Sequence, residues 1–166
     1  LVRAQVLLVD LVGQDTDGNG IRDDVDAFIA RSYGNDAALR SAAELIARSI
    51  QPALAVDLDQ VQDTAAMAEH EVEVMSCVTD ALGPQRRGDV ESMIDRVTGA
   101  TYDNSARFEK REAFRRHASG ADFGKPSHCE PAQRVLSASL YRPVRRSGGT
   151  MQGQHLEYTG AAAGPH

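Results

Sequence analysis

The chain lacks several features that would place it in a common class of proteins. No apolar run approaches the roughly 18 residues that a membrane-spanning helix requires, and Asp10 interrupts the first of them after Val9. The sequence also contains no Gly-x-Ser-x-Gly, no His-Glu-x-x-His and no phosphate-binding loop, which are common signatures of hydrolases, metalloproteases and nucleotide-binding enzymes. We therefore expect no membrane span, and we favour a role other than catalysis.

Aromatic residues are also scarce, and this bears on nucleic-acid binding. Phe and Tyr occur four times each and Trp is absent. The charge is uneven, since residues 1–83 hold 5 Lys and Arg against 15 Asp and Glu, whereas residues 84–166 hold 13 against 9. The basic residues of the second half are mixed with acidic ones, while a nucleic-acid surface combines clustered cations with stacking aromatics. We expect no nucleic-acid partner.

The clearest positive signal is a series of oxygen-bearing side chains at alternate positions of residues 15–26. Calcium takes about six to eight oxygen ligands, and an EF-hand loop supplies them from its first, third, fifth, seventh, ninth and twelfth positions. Gly20 stands at the sixth position, where such a loop turns sharply and a positive φ suits glycine. The predicted calcium ligands are Asp15, Asp17, Asn19, the Ile21 carbonyl, Asp23 and Asp26.

The loop resembles the aspartate-rich calcium loops of dockerins and thrombospondin type 3 repeats, which lack the entering helix of a full EF-hand. Its twelfth residue is Asp26 where a bidentate Glu is usual, so we expect modest affinity. Over roughly residues 13–130 the chain is similar to a group of uncharacterised secreted or periplasmic bacterial helical proteins with one such loop. The similarity is carried by the loop, the helix that follows it, Cys77, Asn104, Ser105 and Cys129.

This resemblance implies a secreted or periplasmic protein in which calcium has a structural role. Dockerins and thrombospondin type 3 modules use two or more loops, whereas this chain has one. The single copy weakens the inference, drawn from the resemblance to dockerins, that the chain binds cohesin. The similar bacterial group has no agreed activity, so the expected partner is another protein or the cell envelope, of unspecified identity.

The acidic residues have a second interpretation. Asp and Asn favour turns and helix N-termini, so residues 15–26 can also be a metal-free acidic turn in which Asp23 or Asp24 caps the next helix. Carboxylates this close would then repel one another with no cation to offset the repulsion. We favour calcium because five side-chain ligands and Gly20 fall in register.

The two cysteines, Cys77 and Cys129, leave three alternatives open. They do not form a Cys-x-x-Cys pair, which excludes a thioredoxin-like redox motif. We favour a disulfide formed in an oxidising compartment. The alternatives are a zinc site that adds His70 and His128, and a pair of free or buried thiols.

Helical periodicity runs through most of the chain and predicts an all-α fold. We expect an N-terminal arm over residues 1–14, the calcium loop over 15–26, a small helical bundle over 27–131 and a mostly disordered tail over 132–166. The expected helical segments are 25–33, 36–50, 54–82, one starting near Asp89 and running past Val97, and 105–118, with Cys129 in extended or turn structure between Pro126 and Pro131.

An enzymatic alternative rests on Glu69, His70 and Glu73, which lie within about one turn of the predicted long helix. Two carboxylates beside a histidine can act as an acid–base pair if they converge in a cleft. The same spacing is common on a solvated helix face. The favoured interpretation is therefore a calcium-binding interaction module, and a small envelope hydrolase is the alternative.

Overall fold

A computed structural model describes residues 11–59, 64–124 and 129–140. All regular structure in these ranges is helical, which confirms the predicted all-α class. None of these helices combines the length and the hydropathy of a membrane span. In chain order the elements are α1 (Asp23–Tyr33), α2 (Ala37–Ile50), α3 (Pro52–Ala55), α4 (Thr64–Leu82), a 3₁₀ turn (Pro84–Arg86), α5 (Arg87–Thr101), α6 (Ser105–His117) and α7 (Glu130–Leu140).

Local sequence signals set several helix ends where they were expected. α1 ends before Gly34, and a Cβ at that position would lie 2.4 Å from the Ala30 carbonyl oxygen. Asp36 caps α2, because its carboxylate accepts a hydrogen bond from the Leu39 N–H at 3.0 Å. Asn104 caps α6 in the same way by accepting from the Arg107 N–H at 3.0 Å. Each cap satisfies a backbone donor that has no partner within its own helix.

The long helix expected over residues 54–82 is wrong in its first part. The chain leaves the helical conformation at Val56, where φ is −66° and ψ is 132°, and residues 57–59 are not helical either. The described part of α4 is Thr64–Leu82. The Asp57 carboxylate accepts from the Asp59 N–H at 3.1 Å, a local bond that competes with helix formation. The apolar spacing continues across the break, where Leu58 packs against a second hydrophobic cluster that contains Phe114.

α2 lies at the centre of the main hydrophobic core and packs against α1, α4, α5 and α7. Its inward face is largely alanine, with Ala42, Ala43 and Ala47 fully buried. Small side chains let neighbouring helices approach closely. The neighbouring helices supply larger side chains to the same core, among them Ile29, Val78, Met93 and Leu136.

Residues 130–140 form α7, whereas the sequence predicts a tail over residues 132–166 and extended or turn structure up to Pro131. Pro131 stands in the first turn of α7, where its missing N–H costs no intrahelical hydrogen bond. Leu136 is 1% exposed and belongs to the main core, so burial of an apolar side chain outweighs the weak local signal. The rest of the expected tail, residues 141–166, and most of the expected N-terminal arm lie outside the described residues.

Cys77 of α4 and Cys129, next to α7, form a disulfide with their Cα atoms 5.1 Å apart. This is the pairing that we predict from the sequence. Both sulfur atoms are used, so neither residue can supply the thiolate of the zinc alternative with His70, and neither is a free thiol. The bond ties the start of the last described helix to the C-terminal half of α4.

Replacing both Cys77 and Cys129 by Ala should lower the free energy of unfolding by about 4 kcal/mol, as the chain-entropy treatment gives for a closed loop of this size; the two residues are 52 positions apart. Urea unfolding measures the change. The wild type under reducing conditions is the control, because it breaks the bond without truncating a side chain. A loss below about 1 kcal/mol in both would contradict the assignment.

Tyr33 carries a stability cost that a second substitution should reveal. The residue is 7% exposed, and its hydroxyl has no hydrogen-bond partner within the described residues. Tyr33→Phe should therefore raise the free energy of unfolding by about 1 kcal/mol, because it removes an unsatisfied buried polar group. Tyr102→Phe is the matched control, since the Tyr102 hydroxyl donates to the Ile50 carbonyl at 2.6 Å and its removal should destabilise. Urea unfolding that gave both variants the same sign would contradict this account.

Candidate metal centre

The backbone of residues 15–26 has the sharp turn that the sequence predicts. Gly20 has a φ of +83° and Gly18 a φ of +69°, a region that side chains with a Cβ rarely adopt. The Asp23 N–H donates to the Gln14 carbonyl at 2.8 Å and closes the loop at its base. The loop then runs directly into α1, so its last four residues form the first turn of that helix.

Asn19 lies at the centre of the acidic side chains. Its backbone N–H donates to Asp15 Oδ1 at 3.1 Å and to Asp17 Oδ1 at 3.2 Å. Its side-chain nitrogen donates to Asp17 Oδ2 at 3.1 Å and to Asp26 Oδ2 at 2.6 Å. Three of the predicted ligand carboxylates thus gather around one asparagine.

The electrostatic environment of Asp26 reflects this crowding. Burial is the main cause that raises the pKa of Asp26, and the negative charges of Asp17, Glu44 and Asp15 add to it. The hydrogen bond from Asn19 acts in the opposite direction. Glu44 belongs to α2 and was not among the predicted ligands, so one more carboxylate lies near the loop than the sequence pattern indicated.

Asp23 and Ile21 stand apart from this group. The Asp23 carboxylate accepts from the Thr16 N–H at 2.8 Å and from the Thr16 hydroxyl at 2.6 Å, and these two bonds lower its pKa. Ile21 has a fully buried side chain in the main core, which fixes the backbone at the seventh position. The structure therefore brings together Asp15, Asp17, Asn19 and Asp26, with Asp23 held by Thr16 instead.

The capping role considered for Asp23 or Asp24 is wrong. Arg22 occupies the N-cap position of α1, and the helix has no side-chain capping hydrogen bond at this end. Asp23, Asp24 and Asp26 all lie in the first turn, where negative charge is favourable near the positive end of the helix dipole. They contribute to the helix through charge and not through a capping hydrogen bond.

Sequence reasoning missed Arg22, which anchors the loop to the bundle. The residue is 3% exposed, and its guanidinium donates to the carbonyls of Thr101 at 3.1 Å and Ala100 at 3.0 Å. It also forms ion pairs with Asp24 and with Asp103, the latter at 3.2 Å. No local pattern identifies this arginine as buried, since its carbonyl partners lie almost eighty residues away along the chain.

The side-chain atoms of the loop that could bind a metal ion are almost all oxygens, which suits a hard divalent cation and not zinc. Within the described ranges, however, no three His, Cys, Asp or Glu side chains are disposed to hold a metal ion. The Asp15 oxygens accept backbone N–H groups, and Asn19 Oδ1 accepts from the Ile21 N–H at 2.7 Å. The side-chain nitrogen of Asn19, and not Oδ1, faces the carboxylates of Asp17 and Asp26. Coordination of a metal ion through Oδ1 therefore requires a flip of the Asn19 amide group.

The residues of the hydrolase alternative do not meet in a described cavity. His70 is 63% exposed, and its Nδ1 lies 3.7 Å from Glu73 Oε2. Glu69 accepts from the backbone N–H of Asp122 at 2.7 Å, a contact that fastens the chain after α6 to α4. The cavity between α4 and α6 is lined by other residues.

Comparison with known proteins leaves the function to be argued from the residues. No protein-family model matches the chain. No curated protein and no solved structure matches it either. No activity or ligand can therefore be transferred from a relative.

Arg22→Met should lower the free energy of unfolding by about 3 kcal/mol, because it leaves buried carbonyls and nearby carboxylates without their donor. Chemical denaturation measures the effect. Arg40→Met is the matched control, since Arg40 forms an exposed pair with Glu44 at 3.0 Å and such pairs contribute less than about 1 kcal/mol. Equal, small losses in the two variants would show that Arg22 does not anchor the loop.

Proposed function

We propose that residues 15–26 bind calcium and that the ion stabilises a helical interaction module. The observation that carries the proposal is the convergence of the Asp15, Asp17 and Asp26 carboxylates on Asn19. Three like charges around one neutral side chain repel one another, and a bound divalent cation would offset that repulsion. The left-handed Gly20 supplies the turn that such a loop needs.

The remaining ligands would come from the same loop. The Ile21 carbonyl is at the seventh position, where calcium loops use a backbone oxygen. Asp23 is at the ninth position, which often contacts calcium through a water molecule. Its hydrogen bonds with Thr16 are compatible with such an indirect role. The ligand set is therefore proposed as Asp15, Asp17, Asn19, Ile21, Asp23 and Asp26.

The way in which the loop is held supports a structural role for calcium. Ile21 is fully buried in the core, and the Arg22 N–H donates to Gln51 Oε1 at 3.0 Å. A loop anchored at adjacent residues would convert ion binding into added stability of the fold. Calcium sensors instead open a hydrophobic groove between helices when they bind the ion.

The proposed setting is outside the cytoplasm, in a secreted or periplasmic protein. The disulfide between Cys77 and Cys129 is compatible with an oxidising compartment. Calcium loops of modest affinity are characteristic of extracellular modules. The proposed partner is another protein or the cell envelope, and the bound ion would maintain the surface that meets it.

Thermal unfolding of the non-reduced protein tests the calcium proposal. Millimolar calcium should raise the Tm relative to excess chelator, because a ligand that binds only the folded state stabilises it. The same concentration of magnesium should have a smaller effect, since the smaller ion demands a near-ideal octahedral site. The double variant Asp15→Asn with Asp17→Asn should lose the calcium response.

The matched control is the double variant Asp80→Asn with Asp95→Asn, which removes two exposed carboxylates from α4 and α5. It should keep the full calcium response. An unchanged Tm in the wild type, or an equal response in both double variants, would contradict a calcium site at residues 15–26.

A further inference from the structure

A cavity of about 360 Å³ lies between α4 and α6. Its walls are mainly apolar and include Val72 and Met75 of α4, Phe114 of α6 and Phe123 beyond it. Val72 is 41% exposed and Phe123 is 59% exposed, so two large apolar side chains at the cavity remain in contact with water. The volume falls within the range of about 300 to 1,000 Å³ that is usual for small-molecule sites.

Two arginines on one face of α6 give this apolar cavity a cationic wall. Arg111 and Arg115 are one helical turn apart, and both line the cavity. The Arg111 guanidinium lies 4.7 Å from the centre of the Tyr102 ring, and the Tyr102 hydroxyl is held by the Ile50 carbonyl. Arg111 is thus oriented by a fixed aromatic ring, a contact that leaves its N–H donors available.

The two arginines differ in their ion-pair partners. Arg115 pairs with Glu112 of its own helix at 3.7 Å. Arg111 makes no ion pair with any carboxylate of the described residues. Glu71 also lines the cavity, from α4. Its burial in apolar surroundings raises its pKa to about 7, although Arg111 and Arg115 counteract the rise.

We propose that this cavity binds an amphipathic carboxylate, with its aliphatic chain against Val72, Met75 and Phe123 and its anionic head at Arg111. An apolar body and one negative charge match the two kinds of wall that the cavity presents. Guanidinium groups bind carboxylates through paired N–H donors and do so more strongly than neutral donors. The inference concerns a different surface from residues 15–26 and does not depend on calcium.

Glu71 makes the binding depend on pH. The charged and titratable groups that face it are Arg111 and Arg115 of α6 and Tyr102 after α5. Burial raises the pKa of Tyr102 above its ordinary value of about 10, so this phenol stays uncharged at pH 6 to 8. A bound anion disfavours ionised Glu71, and binding should therefore be accompanied by proton uptake and strengthen as the pH falls through 7.

Isothermal titration of the non-reduced full chain with decanoate, below its micellar concentration, tests the proposal. A carboxylic acid with an ordinary pKa of about 4 to 5 remains ionised at pH 6 and 8. Among the ligand head group and the ionisable groups that line the cavity, Glu71 is therefore the one whose charge changes between these pH values. The affinity should be up to about tenfold higher at pH 6 than at pH 8. Glu71→Gln should bind tightly at both pH values and lose the pH dependence.

Arg111→Gln should weaken decanoate binding by about tenfold or more, because it removes the charged partner of the head group. Arg116→Gln is the matched control, since Arg116 is an exposed residue of α6 that does not line the cavity. Far-ultraviolet circular dichroism verifies that each variant keeps its helices. Glu71→Gln provides an independent outcome if Arg111→Gln does not fold.

Two comparison ligands separate charge recognition from simple hydrophobic binding. Decanol and decyltrimethylammonium carry the same chain with a neutral and a cationic head, and both should bind more weakly than decanoate. Equal binding of decanol with no effect of Arg111→Gln would overturn the proposal in favour of an uncharged apolar pocket. Preference for the cationic ligand, or no binding of decanoate, would also overturn it.

Discussion

The buried guanidinium of Arg22 is the interaction on which the position of the acidic loop depends. Transferring a charge from water to a protein interior costs several kcal/mol unless ion pairs and hydrogen bonds compensate it. Arg22 is compensated by two carbonyls at the end of α5 and by Asp24 and Asp103. Because Ile21 beside it is buried in the core, adjacent residues hold the loop by apolar packing and by polar contacts.

Contacts with arginine distinguish several carboxylates elsewhere in the described structure from the loop carboxylates Asp15 and Asp17. Asp36 is bonded to Arg86 at 2.6 Å, and this bond is the main cause of its lowered pKa. Asp103 pairs with Arg107 at 2.7 Å as well as with Arg22. Asp15 and Asp17 receive amide donors instead of guanidinium groups. Under the calcium proposal, the bound ion would offset the charge of these loop carboxylates, as the arginines do for Asp36 and Asp103.

Helix ends with a local chemical cause were predictable from the sequence, whereas features set by distant contacts were not. The side chains of Asp36 and Asn104 cap their helices by accepting from backbone N–H groups three residues further on, and Gly20 adopts the left-handed turn that its loop position requires. The break after α3 was missed because the apolar spacing continues across it into a second cluster. α7 was missed because its packing and the anchoring of Cys129 depend on α4 and the main core, which no local pattern contains.

Residues that support the two proposed sites are neighbours at the C-terminal end of α5. Arg22 of the acidic loop donates to the Thr101 carbonyl. Tyr102, the residue after Thr101, contacts the Arg111 guanidinium of the cavity through its ring. Spatial continuity does not by itself couple two sites, because coupling requires an element with two arrangements that each ligand favours differently. Thr101 is fully buried and Tyr102 is held by the Ile50 carbonyl, so the connection is rigid. We therefore expect calcium to stabilise the framework of the cavity without switching its affinity.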